Sequence, residues 1–421
     1  MEKLVVNSGN QLLGDVYIGG AKNAALPLLA SSILAEGEYC FSNVPDLLDI
    51  KTMLTLLEGL CISSKFKGKD IIIKNNGQDD KSHMVAYDLV KKMRASILVL
   101  GPLLAKTKKA KISFPGGCAI GERPIDQHVK ALIAMGAHID VKHGYIEANC
   151  DCLKGCDINF DMITVTGTEN IVMASVLAKG ETVIYNAAQE PEVVDLCNLL
   201  RKMGAQIEGD GSNTIRVKGV EGLEPASYRV MGDRIEASTF LCALAATGGD
   251  IILRSAPADS MSVVIKKLLE TGLEIDVLDN NTIRARKEIA VESADIITQP
   301  YPGFPTDMQA QFMAVMSLAT GVSVITEGIF ENRFMHVAEL KRMGADIVLK
   351  DHSAVIKGVQ NLTGTDVVCT DLRAGAGLVV AALLAEGRSN IHSIYHIERG
   401  YDSFDEKLRM LGADIKKVES E

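Results

Sequence analysis

A sixfold internal repeat constrains the fold of this chain more than any other feature of its sequence. A glycine that follows an apolar helical pattern and precedes short alternating strands recurs as Gly59, Gly136, Gly204, Gly272, Gly344 and Gly412. Successive glycines are separated by 77, 68, 68, 72 and 68 residues. Glycine readily adopts the left-handed conformation that ends many helices, so we expect each of the six to follow a helix C-cap. Such a period predicts six copies of one α/β unit.

A second phrase recurs a little over twenty residues before these glycines. It occurs at residues 34–37, 177–180, 318–321 and 384–387, where it closes an Ala-rich helix and opens a strand. The preceding helix is apolar nearly all round, as in residues 374–383. A helix without a polar face is a buried helix. The sequence therefore predicts an α/β fold with two inside-out α/β domains, each built from three repeats with buried helices and outer sheets.

The repeat also predicts the domain limits. A chain of 421 residues is too long for one ordinary core, and we expect one domain at residues 21–229 and the other at residues 1–20 together with 230–421. After Gly412 there is room for one strand where other copies have two, and residues 3–9 have the pattern of the missing one. We therefore expect residues 1 to about 20 to complete the sixth copy.

Composition and charge exclude several classes of protein. The longest apolar runs, such as residues 378–385, are much shorter than the roughly 20 residues that span a bilayer. The first residues lack the apolar core of a signal peptide, so we expect a cytoplasmic protein with reduced thiols and no membrane insertion. Cys150, Cys152 and Cys156 match no common zinc spacing, which favours ordinary thiols over a metal site. A net charge of −10 argues against nucleic acid as a partner.

Polar and charged residues recur where the buried helices are predicted to begin. The positions are Lys22-Asn23, Arg94, Asp233-Arg234, Thr306-Asp307 and Asp371-Leu372-Arg373. Helix N-termini present free N–H groups and bind anions, whereas a cation there opposes the helix dipole. Helix capping accounts for Asp307 and Asp371 by residue type. It does not account for Lys22, Arg94 or Arg373, and for these cations an anion site is favoured.

A second set of charges lies in the loop before the repeated glycine. Arg123 and Arg399 each lie 13 residues before it, Arg333 lies 11 before it, and Glu190 occupies the loop of the third copy. Equivalent positions in successive copies should lie on one face of each domain. Two domains set face to face would bring these cations together in a cleft suited to carboxylates and phosphates. For any single arginine, an ordinary surface position is as good an explanation.

The loop at residues 114–124 contains three glycines and two prolines, which exclude a helix or a central strand. Cys118 lies near its tip and Arg123 near its base. A neighbouring positive charge stabilises a thiolate, so this loop is a candidate reactive site. A plain surface turn with an incidental cysteine explains the same residues.

Five stretches of the sequence resemble a known family. They are residues 19–27 (GGAKNAALP), 114–121 (FPGGCAIG), 304–311 (FPTDMQAQ), 330–336 (FENRFMH) and 395–401 (YHIERGY). Through these motifs the chain resembles the enolpyruvyl transferases, and most closely those of peptidoglycan synthesis. The resemblance implies transfer of the enolpyruvyl group of phosphoenolpyruvate to the 3-hydroxyl of UDP-N-acetylglucosamine, with release of phosphate and without a metal or organic cofactor.

The resemblance also implies roles for particular residues. Cys118 would protonate phosphoenolpyruvate, form a covalent adduct with it and react with the antibiotic fosfomycin, while Asp307 would be the general base. Lys22 and Arg399 would complete the catalytic set. The implied substrate-binding residues are Lys22, Asn23, Arg94, Arg123, Pro124, Ile125, Asp126, Gln127, Val165, Asp307, Ile329, Arg333, Arg373 and Arg399. Some relatives have lysine where this chain has Met162, which leaves the diphosphate contacts open there.

Three other functions compete with this interpretation. A shikimate-pathway enolpyruvyl transferase would share the fold and the donor but lack the cysteine loop. A non-catalytic paralogue would bind the nucleotide sugar without turnover, and a repeat scaffold would not need cations at its helix starts. The presence of Lys22, Cys118, Asp307 and Arg399 favours an active enzyme of peptidoglycan synthesis.

Overall fold

The computed structural model describes residues 2–77, 84–85, 93–113, 125–288 and 290–419. Their internal contacts divide the chain into two compact units. The first domain comprises the described residues between 20 and 231, and the second comprises residues 2–19 and the described residues between 232 and 419. Each domain has its own hydrophobic core.

The described α-helices alternate along the chain between buried and half-buried. In chain order they are α1 (Lys22–Ser31), α2 (Leu48–Gly59), α3 (Leu100–Thr107), α4 (Asp126–Ala134), α5 (Val165–Ser175), α6 (Pro191–Lys202), α7 (Arg234–Thr247), α8 (Ser262–Glu270), α9 (Gln309–Met316), α10 (Val337–Arg342), α11 (Leu372–Ala382) and α12 (Phe404–Met410). The odd-numbered helices are the buried ones. Short 3-10 helices occupy Arg94–Val99, Ala258–Met261, Thr306–Met308 and Ile394–Arg399.

Small residues let the buried helices approach each other closely. A side chain on Gly377 of α11 would place its Cβ 2.8 Å from the carbonyl oxygen of Ala310 in α9. A side chain on Gly101 of α3 would overlap the carbonyl oxygen of Asn170 in α5. Glycine is required at both positions because any Cβ would push the two helices apart.

The strands surround these helices. In chain order they are β1 (Glu2–Asn7), β2 (Leu12–Tyr17), β3 (Gly37–Ser42), β4 (Ile62–Lys67), β5 (Asp70–Asn75), β6 (Met84–Val85), β7 (Lys109–Ser113), β8 (His138–Lys142), β9 (Tyr145–Asn149), β10 (Asp157–Asn159), β11 (Glu181–Tyr185), β12 (Gln206–Glu208), β13 (Thr214–Lys218), β14 (Tyr228–Arg229), β15 (Gly249–Arg254), β16 (Glu274–Asp279), β17 (Thr282–Lys287), β18 (Ile296–Ile297), β19 (Val322–Thr326), β20 (Asp346–Lys350), β21 (Ser353–Lys357), β22 (Asp366–Val368), β23 (Arg388–His392) and β24 (Asp414–Glu419).

These strands form six four-stranded sheets in the described part of the chain. The first domain has the orders β14-β3-β5-β4, β6-β7-β9-β8 and β10-β11-β13-β12. The second domain has the orders β2-β15-β17-β16, β18-β19-β21-β20 and β22-β23-β1-β24. In each sheet the first pair is parallel and the other two pairs are antiparallel. The predicted inside-out α/β architecture is confirmed.

The glycine C-cap prediction is confirmed for five copies and wrong for the first. Gly136, Gly204, Gly272, Gly344 and Gly412 all have φ between 81° and 106°. In the first copy Gly59 is the last residue of α2, and the left-handed residue after the cap is Cys61 at φ 63°. Helix α2 therefore continues through the glycine that was expected to end it, and an exposed cysteine takes the strained conformation instead.

The N-terminal strands serve two different sheets. β1 lies between β23 and β24 and pairs antiparallel with both, so it supplies the third strand of the sixth copy. β2 instead pairs with β15 in the sheet of the fourth copy. The expectation that all of residues 1 to about 20 complete the sixth copy is therefore wrong for β2. The matching strand of the first copy is β14, which lies just before α7 in sequence.

No helix among the described residues is long and apolar enough to span a bilayer.

The central position of β1 predicts an asymmetric response to two leucine substitutions. Leu4→Ala should cost about 2–5 kcal/mol, since Leu4 is 4% exposed and lies between two strands. Leu13→Ala, at a position 55% exposed in β2, should change the free energy of unfolding by less than about 0.5 kcal/mol. Hydrogen-exchange mass spectrometry should show protection lost in β23 and β24 for Leu4→Ala. Equal effects of the two substitutions would contradict this placement.

Candidate active site

The second domain holds a carboxylate between two arginines. Asp307 lies in the 3-10 helix that leads into α9, Arg333 precedes α10, and Arg373 is in the first turn of α11. Arg333 Nη2 donates to Asp307 Oδ1 at 2.8 Å. Arg373 Nη2 and Nε donate to Asp307 Oδ2 at 2.8 and 3.1 Å. Each carboxylate oxygen is therefore bound by a different guanidinium group.

The three members of this cluster differ in exposure. The side chains of Arg333 and Arg373 are 7% and 5% exposed, whereas that of Asp307 is 25% exposed. Burial by itself raises the pKa of Asp307, but the charges of Arg373 and Arg333 outweigh it and hold this pKa well below its usual value. Asp307 is therefore ionised at neutral pH and is the member of the cluster that solvent reaches.

Arg373 has further contacts and one unused donor. Its guanidinium lies over the ring of Tyr401, 5.3 Å from the centroid. The Tyr401 hydroxyl is buried and lies 3.0 Å from Thr239 Oγ1 and 3.1 Å from Gln311 Nε2. Nη1 of Arg373 is buried and has no hydrogen-bond acceptor among the described residues. The contacts with Asp307 and Tyr401 hold the Arg373 guanidinium in place, and a buried N–H donor of this kind is suited to an anionic oxygen.

Arg333 is held from two other sides. Its Nη1 donates to Thr306 Oγ1 at 2.8 Å, and its guanidinium lies 5.2 Å from the centre of the Phe330 ring. Thr306 in turn bonds to the buried carboxylate of Glu327, and the amides of Ile329 and Phe330 donate to the same carboxylate. Ile329, one of the predicted binding residues, is thus half-buried beside this network.

Asp371 and Asp307 both lie at predicted helix starts, but only one of them caps a helix. Asp371 caps α11 by accepting from the amides of Arg373 and Ala374 at 2.9 and 3.0 Å. Asp233 caps α7 in the same way. The helix that begins at Thr306 has no side-chain cap hydrogen bond, and Asp307 binds the arginines instead. Capping therefore explains Asp371 but not Asp307.

Arg399 ends the 3-10 helix Ile394–Arg399 of the second domain and is half-buried. Burial, followed by the charge of Arg399, lowers the pKa of His396. The neutral form of His396 is therefore favoured, mainly by burial and to a smaller extent by the nearby Arg399.

In the first domain, Lys22 begins α1 and its Nζ lies 3.2 Å from Asp49 Oδ2 in the first turn of α2. The two side chains are 12% and 8% exposed. Asp49 is nearly buried and holds the Lys22 cation at a helix start, where the helix dipole disfavours a positive charge. Asn23, the next residue, is exposed.

Arg94 begins the 3-10 helix that leads into α3 and acts on a buried histidine. Asn170 Nδ2 lies 3.1 Å from His128 Nδ1 and 2.7 Å from the carbonyl oxygen of Ile97. Burial, with a smaller contribution from the charge of Arg94, lowers the pKa of His128 to about 4. His128 is thus neutral at pH 7, and Asn170 ties α5 to the segment that carries Arg94.

The remaining predicted residues of the first domain lie near α4 and α5. Gln127 exchanges two hydrogen bonds with the backbone of Met162, at 3.1 and 3.2 Å. Gln127 also lines a cavity of about 180 Å³ between α4 and residues 157–161. Ile125 is buried before α4, Asp126 is exposed in its first turn, and Val165 begins α5. Met162 is 59% exposed, so its position is open to solvent.

Three predicted residues, Cys118, Arg123 and Pro124, lie outside the described residues. Of the others, the structure brings together Asp307, Arg333 and Arg373 in the second domain. Lys22, Arg94 and Gln127 belong to the first domain. Among the described residues no group of three or more His, Cys, Asp or Glu side chains is placed to hold a metal ion.

Several residues of these clusters were not predicted as site residues. Thr306 and Tyr401 lie inside the recurring family motifs without an assigned role, and Asp49, His128 and Asn170 lie outside them. Glu327 had a signal in the repeat itself, since a large acid follows β19 where four other copies have asparagine or serine.

The chain matches known proteins over nearly its whole length. Residues 6–408 match the family described as EPSP synthase (3-phosphoshikimate 1-carboxyvinyltransferase). The chain is 51% identical over 419 residues to the UDP-N-acetylglucosamine 1-carboxyvinyltransferase of Geotalea daltonii, with both chains fully covered. It is 49% identical to the enzyme of the same name from Myxococcus xanthus, over 99% of each chain.

Two solved structures share the fold. The enolpyruvyl transferase NikO from Streptomyces tendae superposes with a TM-score of 0.88 at 22% identity and covers 99% of each chain. An EPSP synthase from Acinetobacter baumannii superposes with a TM-score of 0.79 at 20% identity, with both chains fully covered. At this identity the two structures support the architecture alone.

The contacts of Asp307 with Arg333 and Arg373 predict that, once Asp307 is removed, the stability of the fold depends on added anions. Asp307→Ala leaves two buried cations without their carboxylate and should cost about 3–5 kcal/mol. Inorganic phosphate should restore part of this loss because it can occupy the same guanidinium groups. Asp371→Ala, which removes a helix cap, should cost about 1 kcal/mol with the same phosphate response as wild type. Thermal denaturation with and without phosphate measures both, and an identical phosphate response in the two variants would refute the prediction.

His128 predicts a pH-dependent stability of the first domain. The unfolded chain binds a proton at this residue below its ordinary pKa of 6.5, whereas the folded chain does so near pH 4. The unfolded state therefore binds more protons in this interval, and stability should fall by up to about 3 kcal/mol as pH drops from 6.5 to 4. His128→Gln should flatten that slope in denaturant titrations. His138→Gln, at an exposed position, is the control and should leave the slope in place.

Proposed function

The chain belongs to the UDP-N-acetylglucosamine 1-carboxyvinyltransferase family, and on that premise we propose that it transfers the enolpyruvyl group of phosphoenolpyruvate to UDP-N-acetylglucosamine. The acceptor is the 3-hydroxyl of the sugar and the by-product is phosphate. This reaction is the first committed step of peptidoglycan synthesis. The observation that carries the proposal is identity of about half of all residues to enzymes of that name over their full length.

Asp307 is the proposed general base. In the addition step its carboxylate accepts the proton of the 3-hydroxyl as that oxygen bonds to C2 of phosphoenolpyruvate, while C3 gains a proton from an acid. The product of this step is a tetrahedral ketal. In the second step the C–O bond to phosphate breaks and C3 loses a proton, which restores the double bond. The exposure of Asp307, beside buried arginines, supports contact with a substrate hydroxyl.

The two arginines make Asp307 a weak base until a substrate arrives. Their charges stabilise its ionised form and lower its proton affinity. A substrate carboxylate can bind the same guanidinium groups through charge-assisted hydrogen bonds. When the two carboxylates share the cations, each receives less stabilisation and the proton affinity of Asp307 rises. We therefore assign Arg333 and Arg373 to the carboxylate side of phosphoenolpyruvate, with binding of the donor activating the base.

The other cations are proposed to hold the phosphate-bearing part of the donor. Lys22, Arg123 and Arg399 fill this role, and Asn23 binds the sugar end of the acceptor. The role of Lys22 is supported by its fixed position against Asp49. A cation held at a helix start adds to the affinity of that helix end for anions. Fixed cations also stabilise the charge that develops on departing phosphate. Arg94, residues 123–127, Val165 and Ile329 are proposed for the nucleotide sugar.

Cys118 is the proposed acid for C3 of phosphoenolpyruvate and the residue that forms the covalent adduct. A thiol with a pKa near its ordinary value of about 8.5 is largely protonated at neutral pH and can donate. The support for this role is the cysteine loop in the sequence and family membership.

The acceptor distinguishes this proposal from a shikimate-pathway activity. With phosphoenolpyruvate as donor, we expect phosphate release with UDP-N-acetylglucosamine and none with shikimate 3-phosphate. A continuous phosphate assay with each acceptor measures this directly. Release with shikimate 3-phosphate alone would overturn the assignment.

Cys118→Ser should lose most turnover while UDP-N-acetylglucosamine still binds, because the substitution removes the acid and leaves the binding residues in place. Fosfomycin should label wild type once, at Cys118. Cys61→Ser provides the control, since Cys61 is an exposed thiol that should neither support turnover nor take the label. Steady-state kinetics, calorimetry and peptide mass spectrometry measure the three effects, and a label on a different cysteine would contradict the assignment.

A further inference from the structure

Glu327 occupies a position at which four other copies of the repeat have a left-handed asparagine or serine. The residue directly after the second strand of the sheet is Asn43, Asn186, Ser255 or Ser393 in those copies, and each has φ between 55° and 61°. In the fifth copy the residue after β19 is Glu327, which does not share the left-handed conformation. It is 2% exposed. A small polar residue is sufficient to turn the chain here, so the turn does not explain a buried acid.

The Glu327 carboxylate accepts hydrogen bonds from four donor groups. Oε1 accepts from Thr298 Oγ1 at 2.8 Å, from the amide of Ile329 at 2.9 Å and from the amide of Phe330 at 3.2 Å. Thr306 Oγ1 lies 3.0 Å from Oε1 and 2.9 Å from Oε2. A buried carboxylate is costly unless it is bound in this way. The donors come from three different segments of the fifth copy, so the carboxylate joins them.

Thr306 connects this carboxylate to Arg333. Arg333 Nη1 can only donate, so the Thr306 oxygen accepts at 2.8 Å. The single hydrogen of the hydroxyl is then directed to Glu327. The direction of every hydrogen bond in the chain from Arg333 through Thr306 to Glu327 is fixed by the chemistry of its ends.

A second connection runs through the backbone after Glu327. The amides of Ile329 and Phe330 are held by Oε1, and the Phe330 ring lies under the guanidinium of Arg333 at 5.2 Å. Arg333 is thus placed by a hydroxyl on one side and an aromatic ring on another, and both depend on Glu327. Among the described residues Glu327 forms no hydrogen bond or ion pair with Asp307, Arg373 or Arg333, so its influence on the cluster is indirect.

We propose that Glu327 and Thr306 are positioning residues for enolpyruvyl transfer, with Thr306 orienting Arg333 toward the donor carboxylate and Glu327 orienting both Thr306 and the 329–330 backbone. The inference rests on the proposed function of the Asp307 cluster. Neither residue touches a substrate in this scheme. The two connections have separable consequences, because Thr306 serves Arg333 and the 329–330 backbone includes a proposed contact of the nucleotide sugar.

Substitution of Thr306 tests the first connection. Thr306→Val keeps the shape of the side chain and removes the hydroxyl, and we expect the KM for phosphoenolpyruvate to rise roughly tenfold or more, as for loss of a hydrogen bond to a charged group. The KM for UDP-N-acetylglucosamine should stay within about twofold. Thr306→Ser restores the hydroxyl and should recover most of the loss. Thr326→Val, which removes a hydroxyl that bonds to Ser353 outside this network, is the matched control.

Glu327→Gln tests the second connection. The amide that replaces Oε2 would donate toward Thr306, whose oxygen already accepts from Arg333, so the direction of the chain is broken while the shape is retained. We expect the KM values of both substrates to rise in this variant. If Glu327→Gln does not fold, the Thr306 pair still decides the first connection.

The pH profile separates orientation from simple loosening of the fold. The charges that shift the pKa of Asp307 are those of Arg333 and Arg373. Arg373 is in turn affected by Asp233 and Tyr401. Glu327 is connected to the cluster through its hydrogen bond with Thr306. If Thr306→Val moves Arg333 away from Asp307, the carboxylate loses one of two cations and the acidic limb of kcat/KM shifts to higher pH. Thr326→Val should leave that limb unchanged.

The outcomes are distinguishable from failure of the proposed function. If wild type releases no phosphate from the two substrates, the proposed function fails. The positioning role is then tested by stabilisation with inorganic phosphate, which should weaken in Thr306→Val and recover in Thr306→Ser. If wild type is active and Thr306→Val matches Thr306→Ser in KM, in the acidic limb and in the phosphate response, the positioning role is refuted.

Discussion

Burial of helices that are apolar on every side is the constraint on which the rest of this structure depends. Such helices cannot face water, so the sheets enclose them, and the charged residues of the Asp307 cluster lie at helix ends. In the second domain Asp307 and Arg373 lie at the starts of α9 and α11, and Asp233, which caps α7, acts electrostatically on Arg373. The starts of three buried helices therefore meet. A cluster of charges arises where the fold leaves free N–H groups and partial positive charge.

The central feature of that cluster is a carboxylate that belongs to the protein but resembles the substrate. Asp307 binds both Arg333 and Arg373, and its own side chain is partly exposed while theirs are buried. In the proposed mechanism a substrate carboxylate shares those cations. Affinity for the donor and basicity of Asp307 are then coupled, because interactions gained by one carboxylate are lost by the other. The proposed role of the buried Glu327–Thr306 chain is to keep one of the two cations in place during that exchange.

The spacing of six glycines predicted six copies, and the apolar pattern of the helices predicted buried helices and outer sheets, because the helix end and the apolar pattern are local properties. The departures come from interactions that are not local. Gly59 was expected to follow a helix cap, yet it is the last residue of α2, and Cys61 takes the left-handed conformation. β2 lies in the sheet of the fourth copy because its pairing with β15 is decided by tertiary structure. Asp307 and Asp371 are one residue type at equivalent helix starts. Their different roles depend on whether arginines from other segments reach them.

The position of β1 has a consequence for how the protein is made. β1 and β24 are neighbouring strands, with Glu2 opposite Glu419, yet β1 leaves the ribosome long before β24 is synthesised. At roughly 5–20 residues per second, the first domain can fold during the tens of seconds in which the second is still being translated. The sheet that contains β1 closes last, so its exposed apolar strand has to be kept from pairing with another chain until then. Folding of the second domain can therefore be completed only after β24 has been synthesised and has paired with β1.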